Sequence, residues 1–218
     1  MSVMHLVIAN KNYSSWSLRP WMAMTMAGIL FDETVIPLDM PDTKEKIAAH
    51  SKAGRVPVLH HGRMSVWESL AIMEYLAETF PEKHLWPKAV TARALARSAA
   101  HEMHAGFQAL RNACPMNLRR PRKKVPMSEA ALADVRRIES IWRECRTRFG
   151  KSGTFLFGKF GIADAMYAPV VTRFDTYDIA VADDTRRYMN NIMATEAFHA
   201  WKDAALKETW IVPSDEVD

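Results

Sequence analysis

Gly54-Arg55-Val56-Pro57-Val58-Leu59, followed by Trp67-Glu68-Ser69-Leu70, is the stretch from which the rest of the chain can be read. A short apolar run meets a Val-Pro step, turns at His61-Gly62-Arg63, and reaches an acidic–hydroxyl pair that opens a helix. Proline lacks a backbone N–H and is the one residue before which a cis peptide is inexpensive. A cis bond at Val56-Pro57 turns the Val56 N–H and C=O outward, where an extended peptide can pair with them as one more strand. The helix starting at Ser69 presents unpaired N–H groups and partial positive charge, which suit a carboxylate. Together these features imply a pocket for a small peptide with a free carboxylate and a free amine. A Val-Pro step alone says only that a strand begins there.

Working outward, His5-Leu6-Val7-Ile8-Ala9 is a short β-rich run suited to a buried first strand. Asn10 to Ser15 carries loop and cap chemistry, and Ser14 or Ser15 can cap a helix predicted from Trp16 to Ala27. A second strand is predicted over Thr34-Val35-Ile36-Pro37-Leu38, then a short helix capped by Asp42 or Thr43, the hairpin, and a helix from Ser69 to Thr79. This order gives an α+β, thioredoxin-like unit (βαβαββα) over residues 1–80. Two prolines and polar residues mark a linker at 81–88. From 89 to 218 the pattern is all-α. It runs from Thr91 to about Asn117 with a bend near Cys114-Pro115, from Ser128 to Phe149, from Ile162 to Tyr177, from Asp183 to Met193 and from Thr195 to Leu206. Pro213 to Asp218 is expected to fray.

With 218 residues and 49% hydrophobic content, the chain can bury a core in one large or two small domains. No window holds the roughly 18 apolar residues of a membrane-spanning helix. Met1-Ser2-Val3-Met4-His5 lacks the basic region and cleavage pattern of a secretory signal. Cys114 and Cys145 lie far apart with no CxxC, which argues against a disulfide framework or a zinc site. A cytoplasmic location is the expectation. The net charge is +4, and the run Arg119-Arg120-Pro121-Arg122-Lys123-Lys124 exceeds that whole surplus. It follows a helical pattern, precedes Pro126 and has no interleaved aromatics, so it reads as a solvated inter-helix loop rather than a nucleic-acid surface.

Arg55-Val56-Pro57-Val58-Leu59 and Glu68-Ser69-Leu70-Ala71-Ile72-Met73-Glu74-Tyr75-Leu76 resemble the glutathione-binding half of cytosolic glutathione S-transferases. The family pattern there is a basic residue, a hydrophobic residue and Pro, then Glu-Ser, then an apolar helix ending in Tyr-Leu. The resemblance extends to the all-helical second half. Phe157-Gly158-Lys159-Phe160-Gly161-Ile162-Ala163-Asp164 is similar to the family's folding motif, in which Ser or Thr caps a buried helix and Asp sits three positions later. Here Gly161 stands at the cap and offers no side-chain acceptor, while Asp164 can reach back to its N–H.

Glutathione chemistry needs a thiolate, since the thiol is a poor nucleophile. A free thiol has a pKa of about 8.5, and lowering it by about two pH units is worth roughly 2.7 kcal/mol. Tyr13-Ser14-Ser15-Trp16-Ser17-Leu18-Arg19 resembles the Ser-x-x-Ser-x-Arg segment of serine-type transferases of the zeta, tau and related bacterial classes. That resemblance implies Ser14 as the catalytic hydroxyl, Ser15 as its neighbouring alternative and Tyr13 as the rival. Trp16 replaces the usual Cys or Phe, so the zeta signature is incomplete, which weighs against maleylacetoacetate isomerase activity.

The resemblance further implies that Ser69 binds the γ-glutamyl carboxylate, Glu68 holds the amine, and Arg55 approaches the glycine carboxylate. Val56 supplies backbone set by Pro57. The second substrate is placed against the helix after the linker, where His104, Phe107 and Arg111 fall at i, i+3 and i+7. Arg111 favours an electrophile bearing a carboxylate or nitro group. His101 and His104 have no evident third partner, so no metal is expected. The implied protein is a homodimeric glutathione S-transferase. It joins glutathione to a small apolar electrophile, or reduces a peroxide with the same thiolate. A glutathione-dependent isomerase is the rival within enzymes. The rival outside them is a non-catalytic adaptor of the same fold. Neither nucleic acid nor membrane is an expected partner.

Overall fold

The structure, a computed structural model, describes residues 3–217. Met1 and Ser2 of the signal-sequence reading, and Asp218 of the tail reading, lie outside the described residues. β1 (Met4–Ala9) pairs in parallel with β2 (Phe31–Ile36) and antiparallel with β3 (Val58–His61). β3 turns through Gly62-Arg63 into β4 (Met64–Trp67), and the sheet order is β2-β1-β3-β4. Gly62 has φ +61°, the conformation that a two-residue hairpin turn asks of glycine. Met4, Leu6 and Ile8 enter the main core, whereas Val7 packs with Ile36, Ile47 and Val58 on the other face. Both faces are covered, which explains why β1 reads as a nearly unbroken apolar run.

α1 (Ser15–Met26) joins β1 to β2, α2 (Thr43–His50) precedes β3, and α3 (Ser69–Thr79) follows β4. The element order is the thioredoxin-like one, with helices thereafter: α4 (Val90–Ala105), α5 (Gln108–Ala113), α6 (Glu129–Phe149), α7 (Ile162–Thr176), α8 (Asp183–Met193) and α9 (Glu196–Lys207). The single helix expected from Thr91 to about Asn117 is corrected. It breaks at Gly106-Phe107, where Phe107 takes φ +61°. Gly106 closes α4 by donating to the Glu102 carbonyl at 2.8 Å, and glycine is the usual helix stop.

α7 is the central helix: every residue in it but Asp175 is buried, and both α1 and α4 pack on it. Gly161 at its start is explained by the linker. Leu85 C=O accepts the Ile162 N–H at 3.0 Å, and a Cβ on Gly161 would stand 2.8 Å from that same oxygen. A serine or threonine cap would collide with the linker. The surviving half of the cap is present, with Gly161 N–H donating to Asp164 at 3.0 Å.

Candidate functional site

The Val56-Pro57 step and the starts of α1 and α3 converge on one cleft of about 610 Å³. Val56-Pro57 is cis, and the Val56 N–H and C=O make no backbone hydrogen bond among the described residues. Ser69 opens α3 fully buried, and its Oγ has no hydrogen-bond partner among the described residues. A buried hydroxyl without a partner is unfavourable unless a ligand completes it. Beside it are the free N–H groups of an eleven-residue helix, which favour an anion. Glu68 precedes Ser69 at φ +68°, a region that residues bearing side chains seldom occupy. Its carboxylate lies 3.8 Å from His104 Nε2. Arg55 stands exposed at the rim of the same cleft.

Three hydroxyls were left open as thiolate donor, and they take different positions. Ser14 caps α1, lies on the cleft wall, and has its Oγ 2.8 Å from Ser17 Oγ. Ser15 is the first residue of α1, is buried, and does not line the cleft. Tyr13 turns its hydroxyl to the Glu216 carboxylate and accepts from Arg119 Nη2 at 2.7 Å. Burial, then Glu216, holds its pKa above the ordinary tyrosine value. Ser14 alone of the three reaches the cleft.

The proposed second-substrate face is rearranged by the helix break. His104 lines the cleft, with burial and then the Arg19 charge lowering its pKa. Phe107 is buried in the core at the break between α4 and α5 and does not line the cleft. The reading of His104, Phe107 and Arg111 as one helical face is therefore corrected. Arg111 instead comes from α5 and sets its guanidinium 4.5 Å from the centre of the Trp16 ring, while Arg19 sits 4.3 Å from it. Trp16 also meets His104 edge-on at 5.2 Å. An indole is the best aromatic partner for cations, which accounts for tryptophan where Cys or Phe is usual. Arg19 is fully buried, and among the described residues none of its three nitrogens has a hydrogen-bond partner. Burial, then the Arg111 and Arg173 charges, pulls its pKa well below the ordinary arginine value.

The loop carrying Ser14 is held by the other end of the chain. Glu208 accepts the Lys11 and Asn12 N–H groups at 2.7 and 2.9 Å, and Trp201 Nε1 donates to the Lys11 carbonyl at 2.9 Å. Asn12 pairs with Asn117 and accepts the Arg119 N–H. The basic run is thus only partly a solvated loop. Arg119 donates to the carbonyls of Glu208 and Trp210, and Arg120 Nε donates to Val217 C=O at 3.0 Å. Arg122, Lys123 and Lys124 are exposed. The expectation of a frayed tail is corrected for residues 213–217: Pro213–Asp215 forms a 3-10 turn beside the buried Val212, and Glu216 binds Tyr13.

Cys114 and Cys145 are buried, with thiols pushed up by burial to about 11 and about 12, which leaves them poor nucleophiles. Among the described residues, no group of three or more His, Cys, Asp or Glu is arranged to hold a metal, and no helix is long and apolar enough to cross a membrane. A second cavity of about 570 Å³ near the linker, lined by Trp86, Phe157 and Phe160, shares no residue with the first.

The family model for the glutathione S-transferase N-terminal domain matches residues 13–79, and that for the C-terminal domain matches residues 92–203. The chain belongs to the glutathione S-transferase family. Rat maleylacetoacetate isomerase is 25% identical over 194 residues, covering 85% of this chain and 86% of that one. A probable maleylacetoacetate isomerase of Caenorhabditis elegans is 33% identical over 99 residues, or 45% of this chain and 46% of the relative. That alignment spans about half of the worm protein. A glutathione transferase homologue from Burkholderia, solved with bound glutathione, superposes with a TM-score of 0.69 at 22% identity, covering 95% of this chain and all of that one. At that identity the likeness speaks to the fold.

Two features of the site had no role in the sequence reading. Ser17 was visible as the second serine of its motif, but its contact with Ser14 was not. Glu208 carried no local signal, because its partners lie 196 and 197 residues away.

Proposed function

We propose that this protein is a glutathione-dependent transferase of the serine type. The observation that carries the reading is that Ser14 Oγ and the unpartnered, buried Ser69 Oγ line one cleft with Val56 between strand and loop. Ser69 and the α3 N-terminus would hold a carboxylate, Val56 would pair with peptide backbone, and Glu68 would hold an amine. Arg55 stands at the rim for a second carboxylate. Glutathione supplies the sulfur nucleophile when bound, and Ser14 donates its hydroxyl proton as a hydrogen bond that favours the thiolate. The electrophile site lies toward Trp16 and His104, with attack on a small electrophilic carbon or reduction of a peroxide as the reaction. The proposed organisation is a glutathione-binding unit at 1–80, a linker at 81–88 and a helical unit at 89–218, working as a cytosolic homodimer.

The test is a calorimetric titration of the full chain with glutathione, with thiolate absorbance followed in parallel. Binding with thiolate at neutral pH is expected. No binding would overturn the reading and favour a non-catalytic adaptor. A second reading, a glutathione-dependent isomerase, is favoured by the similarity to the rat isomerase over most of both chains. Arg111→Ala bears on the electrophile. It should raise KM about tenfold for a carboxylate-bearing electrophile and leave that for a neutral one nearly unchanged. Equal effects on both would remove Arg111 from substrate selection.

A further inference from the structure

Ser17 is a buried residue on the first turn of α1, and three hydrogen bonds tie it to Ser14 and β1. Its Oγ accepts the Ala9 N–H at 3.0 Å, it lies 2.8 Å from Ser14 Oγ, and its own N–H donates to Ser14 Oγ at 3.3 Å. A serine hydroxyl has one proton to donate and two lone pairs to accept with. That inventory restricts how the two serines share their protons.

If Ser14 donates to Ser17, the Ser17 oxygen accepts twice and its own proton needs another acceptor. Among the described residues Ser17 donates its hydroxyl to no other oxygen, and the residue is 0% exposed, so that proton is stranded. If Ser17 donates to Ser14, every bond is satisfied inside the protein. Ser14 Oγ then accepts both the Ser17 hydroxyl and the Ser17 N–H, and the one remaining proton is that of Ser14, on the cleft wall. A hydroxyl that accepts two hydrogen bonds is also a stronger donor, because the bonds polarise one another.

We infer that Ser17 is a positioning residue that turns the Ser14 proton into the cleft and strengthens it as a donor to the glutathione sulfur. The inference rests on Ser14 as the donor in the proposed function. Ser17 itself touches no substrate. Its hydroxyl sets which way the neighbouring hydroxyl points, with the Ala9 N–H at the end of β1 fixing the Ser17 oxygen in turn.

The test is a pH titration of the ultraviolet thiolate absorbance of bound glutathione in wild type, S17A, S17C, S17T, S14A and the S14A/S17A double variant. Glutathione dissociation constants and thermal unfolding are measured alongside. S17C keeps the side-chain volume while replacing the hydroxyl with a weak donor, so it serves if S17A does not fold. The titration midpoint should rise by about one pH unit in S17A and S17C, a tenfold loss of thiolate at a pH well below both midpoints, and by about two units in S14A. The double variant should match S14A, and S17T, which restores a hydroxyl, should return toward wild type. Dissociation constants should stay within about threefold, which separates proton direction from general damage to the pocket. An unmoved midpoint in S17A and S17C, or the same shift on the S14A background, overturns the inference while leaving Ser14 in place. An unmoved midpoint in S14A overturns it together with the serine-type assignment, and absent glutathione binding in wild type is the separate failure of the proposed function.

Discussion

Replacing Ser14 by alanine should leave glutathione bound and remove most of its thiolate. Ser14 stands on the cleft wall, but the groups proposed to hold the peptide are Val56, Glu68 and Ser69, at the other helix start. The methyl of alanine cannot donate to sulfur, so the bound thiol should titrate closer to its solution value of about 8.5. A rise of about two pH units, from about 6.5 to about 8.5, is worth roughly 2.7 kcal/mol and lowers the rate at pH 7 about 25-fold if attack by sulfur limits turnover. The substitution also removes the α1 cap. That loss should be small, about 0.5–1 kcal/mol, since the capping contact to Ser17 N–H is long at 3.3 Å. Calorimetry, thiolate absorbance and steady-state kinetics on one preparation separate these effects. Unchanged thiolate with unchanged rate would pass the role to backbone N–H groups, since Ser15 does not line the cleft. Tyr13 is a poor substitute, because Glu216 and Arg119 hold its hydroxyl away from the cleft.

What the sequence disclosed, and what it hid, follows the range of the interactions. The Ser69–Thr79 helix and the hairpin turn are written in cap chemistry and short-range periodicity, and they stand where those signals put them. The cleft is legible for the same reason: Pro57, Glu68 and Ser69 announce themselves within fifteen residues. The long helix after the linker misled because its alanine-rich pattern is helical on both sides of Gly106, and an isolated glycine does not say whether it stops a helix or merely weakens it. Phe107 then lost its apparent face. The basic run misled in another way. Charge in a turn looks solvated, yet Arg119 and Arg120 bind carbonyls of the C-terminal segment that no local pattern connects to them. Gly161 is the instructive case. As sequence it departs from the family's cap; in space it is the residue that leaves room for the Leu85 carbonyl.

The largest loss of stability is expected from Asp164→Ala. Asp164 is buried at the start of α7 and accepts from Leu156 N–H, Gly161 N–H and the Tyr188 hydroxyl, each at 3.0 Å. Alanine leaves all three donors unpaired around the start of the helix on which both halves of the chain pack. Removing one partner from a buried charged network costs about 3–5 kcal/mol, a large part of the roughly 5–15 kcal/mol that holds a domain folded. Urea unfolding at pH 7 should show a deficit of about 4 kcal/mol, and a deficit below about 1 kcal/mol would refute the assigned role. The deficit should also depend on pH. Burial raises the Asp164 carboxyl from 3.8 to about 6, against the lowering effect of its hydrogen bonds. The folded protein therefore binds the proton more readily than the unfolded chain, so this group's contribution is fully present below the unfolded value and is lost as pH rises through about 6. Other titrating groups cancel between wild type and variant. The gap between them should accordingly widen by about 1 kcal/mol from pH 7 to pH 5. A gap that narrows on acidification would mean that the three donors stabilise the ionised carboxylate more than burial opposes it.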